Sequence, residues 1–354
     1  MPRVKTDKAE GKAAIRSLPK KTSIGILIYP GARLAAVHGL TDLFEAGNYY
    51  SAKLGGEHPA KLQVSHWRPN PDTTQLECIF GSHPHQSQLD CLIIAPTIEI
   101  DQQTEETENL LAWAKSQHAS GAVLCAVCGG AFLLARTGVL KGRSATTHWS
   151  YSEAFANRFP EVCVNTDELI IDLGDVVTAG GVMAWLDLGL RLVDRYLGPV
   201  VMVKTAQYFL ADPAGRQQRF YANFSPSLHH GDKAVLRVQL WLQTILSQSV
   251  TVDRMAAKAQ LGQRTFLRRF QKSTGLTPTE YVQHLKVQKA RELLEFTNLS
   301  VKEISWKVGY EDAGFFRKTF QKFIGLRPVD YRRRFNASDH KAAGLLKESN
   351  ALVE

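Results

Sequence analysis

FLRRFQKSTGLTPTEY, residues 266–281, is written a second time as FRKTFQKFIGLRPVDY, residues 316–331. At an offset of 50, Phe266, Phe270, Gln271, Lys272, Gly275, Leu276, Pro278 and Tyr281 recur as Phe316, Phe320, Gln321, Lys322, Gly325, Leu326, Pro328 and Tyr331. Upstream the offset is 49, and Met255, Ala259 and Leu261 match Ile304, Val308 and Tyr310. One residue is inserted between, at the turn. Each copy reads as helix, short turn, helix, then a Gly-x-x-Pro stop. Glycine takes the left-handed conformation that ends a helix, and proline suits the first position of the next. The pattern is a duplicated helix-turn-helix.

Phe266 and Phe270 are four residues apart, so they share one helical face and bury together. The opposite face presents Arg264, Thr265, Arg268 and Lys272. In the second copy Phe316, Phe320 and Phe323 form the burying set, leaving Ala313, Gly314, Arg317, Lys318 and Gln321 outward. A basic helix face of this width fits a major groove ~12 Å across. Arginine can read guanine edges there, while the outer lysines and arginines hold phosphates. Gly314 has no side chain and reads no base. The stretch from Pro278 to Glu295 reads as a helix joining the copies, which would space them near one duplex turn, ~34 Å.

Charge follows the repeat. The chain has 354 residues and a formal net charge of +9. Residues 233–335 hold 20 Lys+Arg against 8 Asp+Glu, and the first 21 residues hold 7 against 2. The last 19 hold 2 against 3, so residues 22–232 carry −7. An acidic body joined to a basic third points to a polyanionic partner, of which nucleic acid is the commonest.

The acidic body alternates strands and helices. SIGILIYP, KLQVSHW and DCLIIAP read as strands, VHGLTDLFEAGNYYSA and EETENLLAWAKSQ as helices. AVLCAVCGGAFLLARTG reads as strand, tight turn and helix. ELIIDLGDVVTAG reads as a hairpin turning at Gly174-Asp175, and VMAWLDLGLRLVDRYLG as a long helix. Such alternation implies a mostly parallel, doubly wound α/β sheet covered on both faces, followed by an all-α domain. The expected boundaries are a disordered basic arm at 1–21, an α/β domain at 22–210, a linker at 211–232, a helical domain at 233–335 and a flexible tail at 336–354. The linker reading rests on ADPAGRQQRFYANFSPSLHHGD, which is rich in Pro, Gly and polar residues.

Within the body, Cys128 follows a buried strand and precedes Gly129-Gly130 and a helix. That is the shape of a nucleophile elbow, in which a helix N-terminus would lower the thiol pKa. His148, in SATTHW, is the candidate base. The alternative is a small residue filling a crowded turn, with His148 structural. Five cysteines and no export signal argue against a disulfide scaffold and for a cytoplasmic protein. Cys125 and Cys128 form a C-x-x-C without a second pair, so no metal site is expected. No apolar run approaches the ~20 residues of a membrane span.

Residues ~233–335, through VDRMAAKAQLGQRTFLRRFQKSTGLTPTEYVQHLKVQKARELLE and VKEISWKVGYEDAGFFRKTFQKFIGLRPVDYRRRF, resemble an AraC/XylS-type DNA-binding domain. Residues 23–200 resemble the PfpI-like branch of the class I glutamine amidotransferase superfamily, on ILIYPGARL, DCLIIAP, AVCGGAFLLARTGVLKGRSATTHW and VVTAGGVMAWLDLGLRLV. The combination resembles the GlxA family of transcription regulators. The resemblance implies a flavodoxin-like sensor that has usually lost enzymatic activity. Enzymatic relatives place a carboxylate shortly after the first strand's Pro-Gly; here the stretch reads Arg33-Leu34-Ala35-Ala36-Val37-His38, and Asp42 and Glu45 lie further on.

The reading is therefore a regulator that binds promoter DNA in duplex form and responds to a small-molecule effector, an amino acid or quaternary amine. Cys128, Gly129, His148, Gly180 and Gly181 would line the ligand pocket, with Trp149 and Trp185 conceivable as an aromatic cage. A homodimer is expected, RNA polymerase is left open as a further partner, and neither a cofactor nor a membrane is implied. The alternative reading is a bifunctional protein with Cys128-dependent hydrolase or hydratase activity. A third is a constitutive nucleoid-binding protein with a dead sensor.

Overall fold

A computed structural model describes residues 21–55, 59–70, 75–81, 88–100, 105–212, 217–224, 226–248 and 250–336. The arm read at 1–21 and the tail read at 336–354 lie outside these residues, apart from Lys21 and Asn336. The chain divides into two compact units between Arg216 and Gln217.

The first unit runs β1 (Lys21–Leu27), α1 (Leu34–Leu54), β2 (Lys61–Pro69), β3 (Leu76–Phe80), β4 (Cys91–Ile94), α2 (Glu105–Ala119), β5 (Val123–Val127) and α3 (Gly130–Arg136). It continues with β6 (Ser144–Ala145), α4 (Ser152–Arg158), β7 (Cys163–Val164), β8 (Ile170–Asp172), β9 (Val176–Ala179), α5 (Trp185–Leu197) and α6 (Pro199–Tyr208). The main sheet has the order β3-β2-β1-β4-β5-β9-β8. Its five central strands are parallel, and the edge strands β3 and β8 are antiparallel. Strand β4 (CLII) is buried along its whole length, as a strand covered on both faces must be. Helices α1, α5 and α6 pack together as one group and α2 with α3 as another.

Sequence patterning found the parallel strands and missed β3, β6 and β7. The last two are two-residue strands that pair only with each other, too short for any periodicity. The expected long helix from Val182 starts as a 3-10 turn over Val182–Ala184, and α5 follows it. Strand order reverses at β1: the chain steps outward to β2, then returns to β4 on the other side. The crevice outside the carboxyl ends of β1 and β4 is where ligands bind in sheets of this kind.

The second unit is helical: α7 (Lys233–Thr244), α8 (Val252–Ala259), α9 (Gln263–Thr274), α10 (Pro278–Phe296), α11 (Val301–Lys307), α12 (Ala313–Ile324) and α13 (Pro328–Phe335). The repeat becomes two separate cores. One gathers Met255, Ala259, Phe266, Phe270 and Tyr281; the other gathers their counterparts Ile304, Val308, Phe316, Phe320 and Tyr331. Helix α10 serves both, giving Tyr281 and Leu285 to the first and Val287, Ala290 and Leu294 to the second. Each repeated Phe is fully buried, and truncating one to Ala would cost ~3–5 kcal/mol. The stops work as read: Gly275 and Gly325 are left-handed C-caps, and Pro278 and Pro328 open the next helices.

Part of the stretch read as a linker, 211–232, is packed among the described residues. Gln218 and Phe220 are buried, and Phe224 stacks on His284 at 4.6 Å and meets the edge of Tyr281 at 5.3 Å. Isolated aromatic anchors in a polar segment leave no periodic signal, which is why the composition hid them.

Candidate nucleic-acid interface and elbow pocket

Helices α9 and α12 are the second helices of their units, and each buries its two repeated phenylalanines. Burying that face fixes the other outward. Arg264, Thr265, Arg268 and Lys272 are exposed on α9, and Gly314, Arg317, Lys318 and Gln321 on α12. Ala313 is half-buried, less open than the sequence suggested, and so is Phe323, which packs edge-on against His284. Gly314 lies at the N-terminus of α12. A methyl there would come within 3.1 Å of the Asp312 carboxylate, which caps the helix by accepting from the Phe315 N–H. Its small size leaves room for the cap.

The state of each cation separates the two faces further. Arg264, Arg268, Lys272, Arg317 and Lys318 form no ion pair among the described residues. Neighbouring cations on other faces are engaged. Arg269 makes a two-pronged bond to Asp232, at 2.8 and 2.7 Å. That pair holds the Asp232 carboxyl below its usual range, helped by the Val235 and Ala234 N–H groups that Asp232 caps. Arg291 donates from Nε to the Tyr331 hydroxyl at 2.8 Å and from its fork to the carbonyl of Ala222. Arg327 pairs with Asp330. Asp232, Arg269 and Arg291 were absent from the sequence reading. Only Asp232 carries a signal, as a helix N-cap before Lys233.

In the first unit Cys128 occupies the elbow, with φ of 55°, one of three described non-glycine residues in the left-handed region. Its N–H donates to the Ala179 carbonyl at 2.7 Å, and its carbonyl accepts from the Thr147 hydroxyl at 2.8 Å. The turn therefore bridges the ends of β5 and β9. Glycine is required beside it: a methyl on Gly129 would lie 2.2 Å from the Thr97 carbonyl oxygen, and one on Gly130 2.7 Å from that of Ala95. Gly180 donates to the Leu169 carbonyl at 2.8 Å, and Gly181 follows with φ of 86°.

Two influences on the Cys128 thiol oppose each other. Burial pushes the Cys128 thiol up to about 11, against the opposing pull of the Gly129 and Gly181 N–H groups and the Arg33 charge. The thiol is protonated at neutral pH. His148 is held through Nδ1, which accepts from the Ser150 N–H at 3.1 Å, and its ring packs near Trp149 and Tyr151. Burial lowers the His148 pKa. Cys125 contacts Cys91, sulfur to sulfur at 3.6 Å, instead of Cys128. Trp185 sits over Gly39, where a methyl would meet its ring at 2.5 Å. Among the described residues no cluster of His, Cys, Asp or Glu could hold a metal ion, and no helix is long and apolar enough to cross a membrane.

Comparison with known proteins assigns both units. Residues 73–195 match the DJ-1/PfpI family, and residues 255–334 match a helix-turn-helix domain. The chain thus joins a DJ-1/PfpI domain to an AraC-type helix-turn-helix domain. It is 26% identical over 246 residues to the HTH-type transcriptional regulator GbdR of Pseudomonas aeruginosa, covering 69% of this chain and 66% of GbdR. It is 27% identical over 212 residues to the HTH-type transcriptional regulator GlxA of Rhizobium meliloti, covering 59% and 64%. The matches therefore span just under two thirds of these relatives' length. A crystal structure of an AraC family transcriptional regulator from Pseudomonas putida aligns at 18% identity with a TM-score of 0.42, over 54% of this chain and 100% of that one.

Proposed function

We infer that this protein is a transcription regulator whose α9 and α12 enter successive major grooves of promoter DNA. A small nitrogenous effector, an amino acid or a quaternary amine, occupies the elbow pocket without being turned over. The observation that carries the reading is the pair of basic rows without ion pairs among the described residues, Arg264, Arg268 and Lys272 on one helix and Arg317 and Lys318 on its repeat. Cations left without partners on two equivalent helices are complementary to a polyanion with a regular repeat. The names of the similar proteins support the same reading. Effector control is a population shift: the ligand must bind the DNA-competent arrangement more tightly than the other.

DNase footprinting on the region upstream of the gene tests the DNA arm. Protection there that Arg268→Ala and Lys318→Ala weaken is the expected result, and protection indifferent to both sinks the readout. Thermal-shift screening of amino acids and betaines tests the effector arm, because a specific ligand raises the melting temperature by mass action.

One observation favours the enzymatic alternative: a strained backbone at Cys128 is the geometry of a nucleophile. The raised pKa of the buried thiol weighs against it. Turnover of an amide or isonitrile that disappears in Cys128→Ser would establish that alternative.

A further inference from the structure

Helices α9 and α12 differ most in their first turns. Their caps, Gly262 and Asp312, are equivalent in the repeat, so Thr265 and Phe315 stand at the same third helical position. The first turn of α9 carries Gln263, Arg264 and Thr265, each with a hydrogen-bonding side chain. The first turn of α12 carries Ala313, Gly314 and Phe315, none of which has one. Phe315 is nevertheless 54% exposed, whereas Phe316 and Phe320 are fully buried, so it is not part of the core that holds the helix. Its ring is backed by that of Tyr310, 5.9 Å away and itself nearly buried. On the helix surface Phe315 heads a row continued by Lys318 and Lys322, both exposed.

Covering an exposed phenyl ring is favourable, and the row it heads decides what covers it. Against an apolar protein surface Lys318 and Lys322 would have to leave water without partners, whereas phosphates pair with them. The first turn of a helix lying in a major groove meets base edges. Among the four bases only thymine presents an apolar group there, its 5-methyl, and a phenyl ring satisfies no donor or acceptor of the others. We propose that Phe315 packs on the methyl group of a thymine. The half-site under α12 is then selected at that position by an apolar contact, while α9 has hydrogen-bonding groups at the equivalent place. The inference rests on the reading of α9 and α12 as groove-entering helices, and it adds the base that the second of them selects.

The test uses the full chain and duplexes that it enriches from a random pool. Each thymine of the enriched site is replaced in turn by deoxyuridine, which removes the methyl group and keeps every donor and acceptor of the base. Binding isotherms are taken for the natural chain, Phe315→Ala, Phe315→Leu and Arg268→Ala. The expected result is a thymine whose replacement weakens the natural chain about fourfold, the effect of one methyl group left in water. Phe315→Ala binds the two duplexes equally, and Phe315→Leu keeps part of the difference. Arg268→Ala, altered on the other helix, keeps all of it.

Equal deoxyuridine penalties in the natural and Phe315→Ala chains at every position, or an enriched site with no fixed thymine, overturn the assignment and leave the DNA reading standing. A Phe315→Ala chain that sediments differently without DNA, yet binds every duplex as before, also overturns it and gives the ring to a contact between copies of the chain. If no duplex is enriched, the reading of α9 and α12 falls, and this one with it.

Discussion

Arg268 and Arg269 are adjacent on α9 and do opposite things: Arg268 is exposed and unpaired, while Arg269 turns back to grip Asp232 with both prongs. Asp232 also caps α7, accepting from Ala234 and Val235 at 3.1 Å each. The pair thus fixes α9 against the start of the helical unit. Arg268→Ala should weaken DNA binding and leave the melting temperature unchanged. Asp232→Ala should lower stability, with ~1 kcal/mol coming from the lost cap. A urea titration and a binding isotherm on both variants separate the roles. A stability loss in Arg268→Ala, or none in Asp232→Ala, would contradict the assignment.

Cations on the two basic rows should differ in what they report. Lys272 lies in the last turn of α9, where on the proposed docking a lysine would meet phosphate and read no base. Lys272→Ala should weaken binding about equally on every sequence and lower the log–log salt slope by ~0.9, one released counterion. Arg317→Ala should instead cost ~1–3 kcal/mol on the preferred site and less on unrelated DNA. Binding measured against salt on specific and random duplexes checks both. An Arg317→Ala effect that is uniform across sequences would demote Arg317 to a phosphate contact.

The duplicated helices were legible because burial imposes them: a Phe pair four residues apart, a glycine stop and a proline start leave little freedom, and both copies folded as their spacing required. The parallel strands were legible for the same reason, as continuous apolar runs. What stayed hidden depends on contacts between distant residues. Nothing near Arg291 announces that it bonds Tyr331 and the Ala222 carbonyl, and Phe220 and Phe224 sit in a segment whose composition resembles a linker. The elbow shape at Cys128 was visible in the glycines, but its thiol pKa was not. Local dipole reasoning points downward, and burial among residues far apart in sequence outweighs it.

Gly275 and Gly325 are equivalent in the repeat but not in their surroundings. Both are left-handed, with φ of 74° and 84°. A methyl on Gly275 meets open space, whereas one on Gly325 would lie 2.5 Å from Arg219 Nε and 2.8 Å from the Phe220 ring. Gly275→Ala should cost ~1 kcal/mol, the backbone penalty alone. Gly325→Ala should cost more, because the segment around Phe220 must also shift. Denaturation midpoints of the two variants decide it. Equal losses would mean that residues 217–224 do not rest on the end of α12.

His66 gives the α/β unit a defined acid sensitivity. The Thr41 hydroxyl donates its one proton to the Val37 carbonyl at 3.0 Å, so His66 Nε2, 2.8 Å away, must donate to Thr41. The neutral ring is then held between Phe80, stacked at 4.4 Å, and His38, edge-on at 5.8 Å. Burial, with a smaller contribution from the His38 charge, lowers the His66 pKa from 6.5 to about 4. Between those values the unfolded chain binds a proton that the folded chain refuses, so stability rises with pH across the window. It is fully present above pH 6.5 and is lost as the pH falls toward 4, below which His66 adds no further loss. Melting temperatures taken at intervals from pH 7 to pH 4 should therefore fall more steeply for the natural chain than for His66→Gln, which has no proton to bind. Parallel curves for the two would show that His66 is not the group responsible.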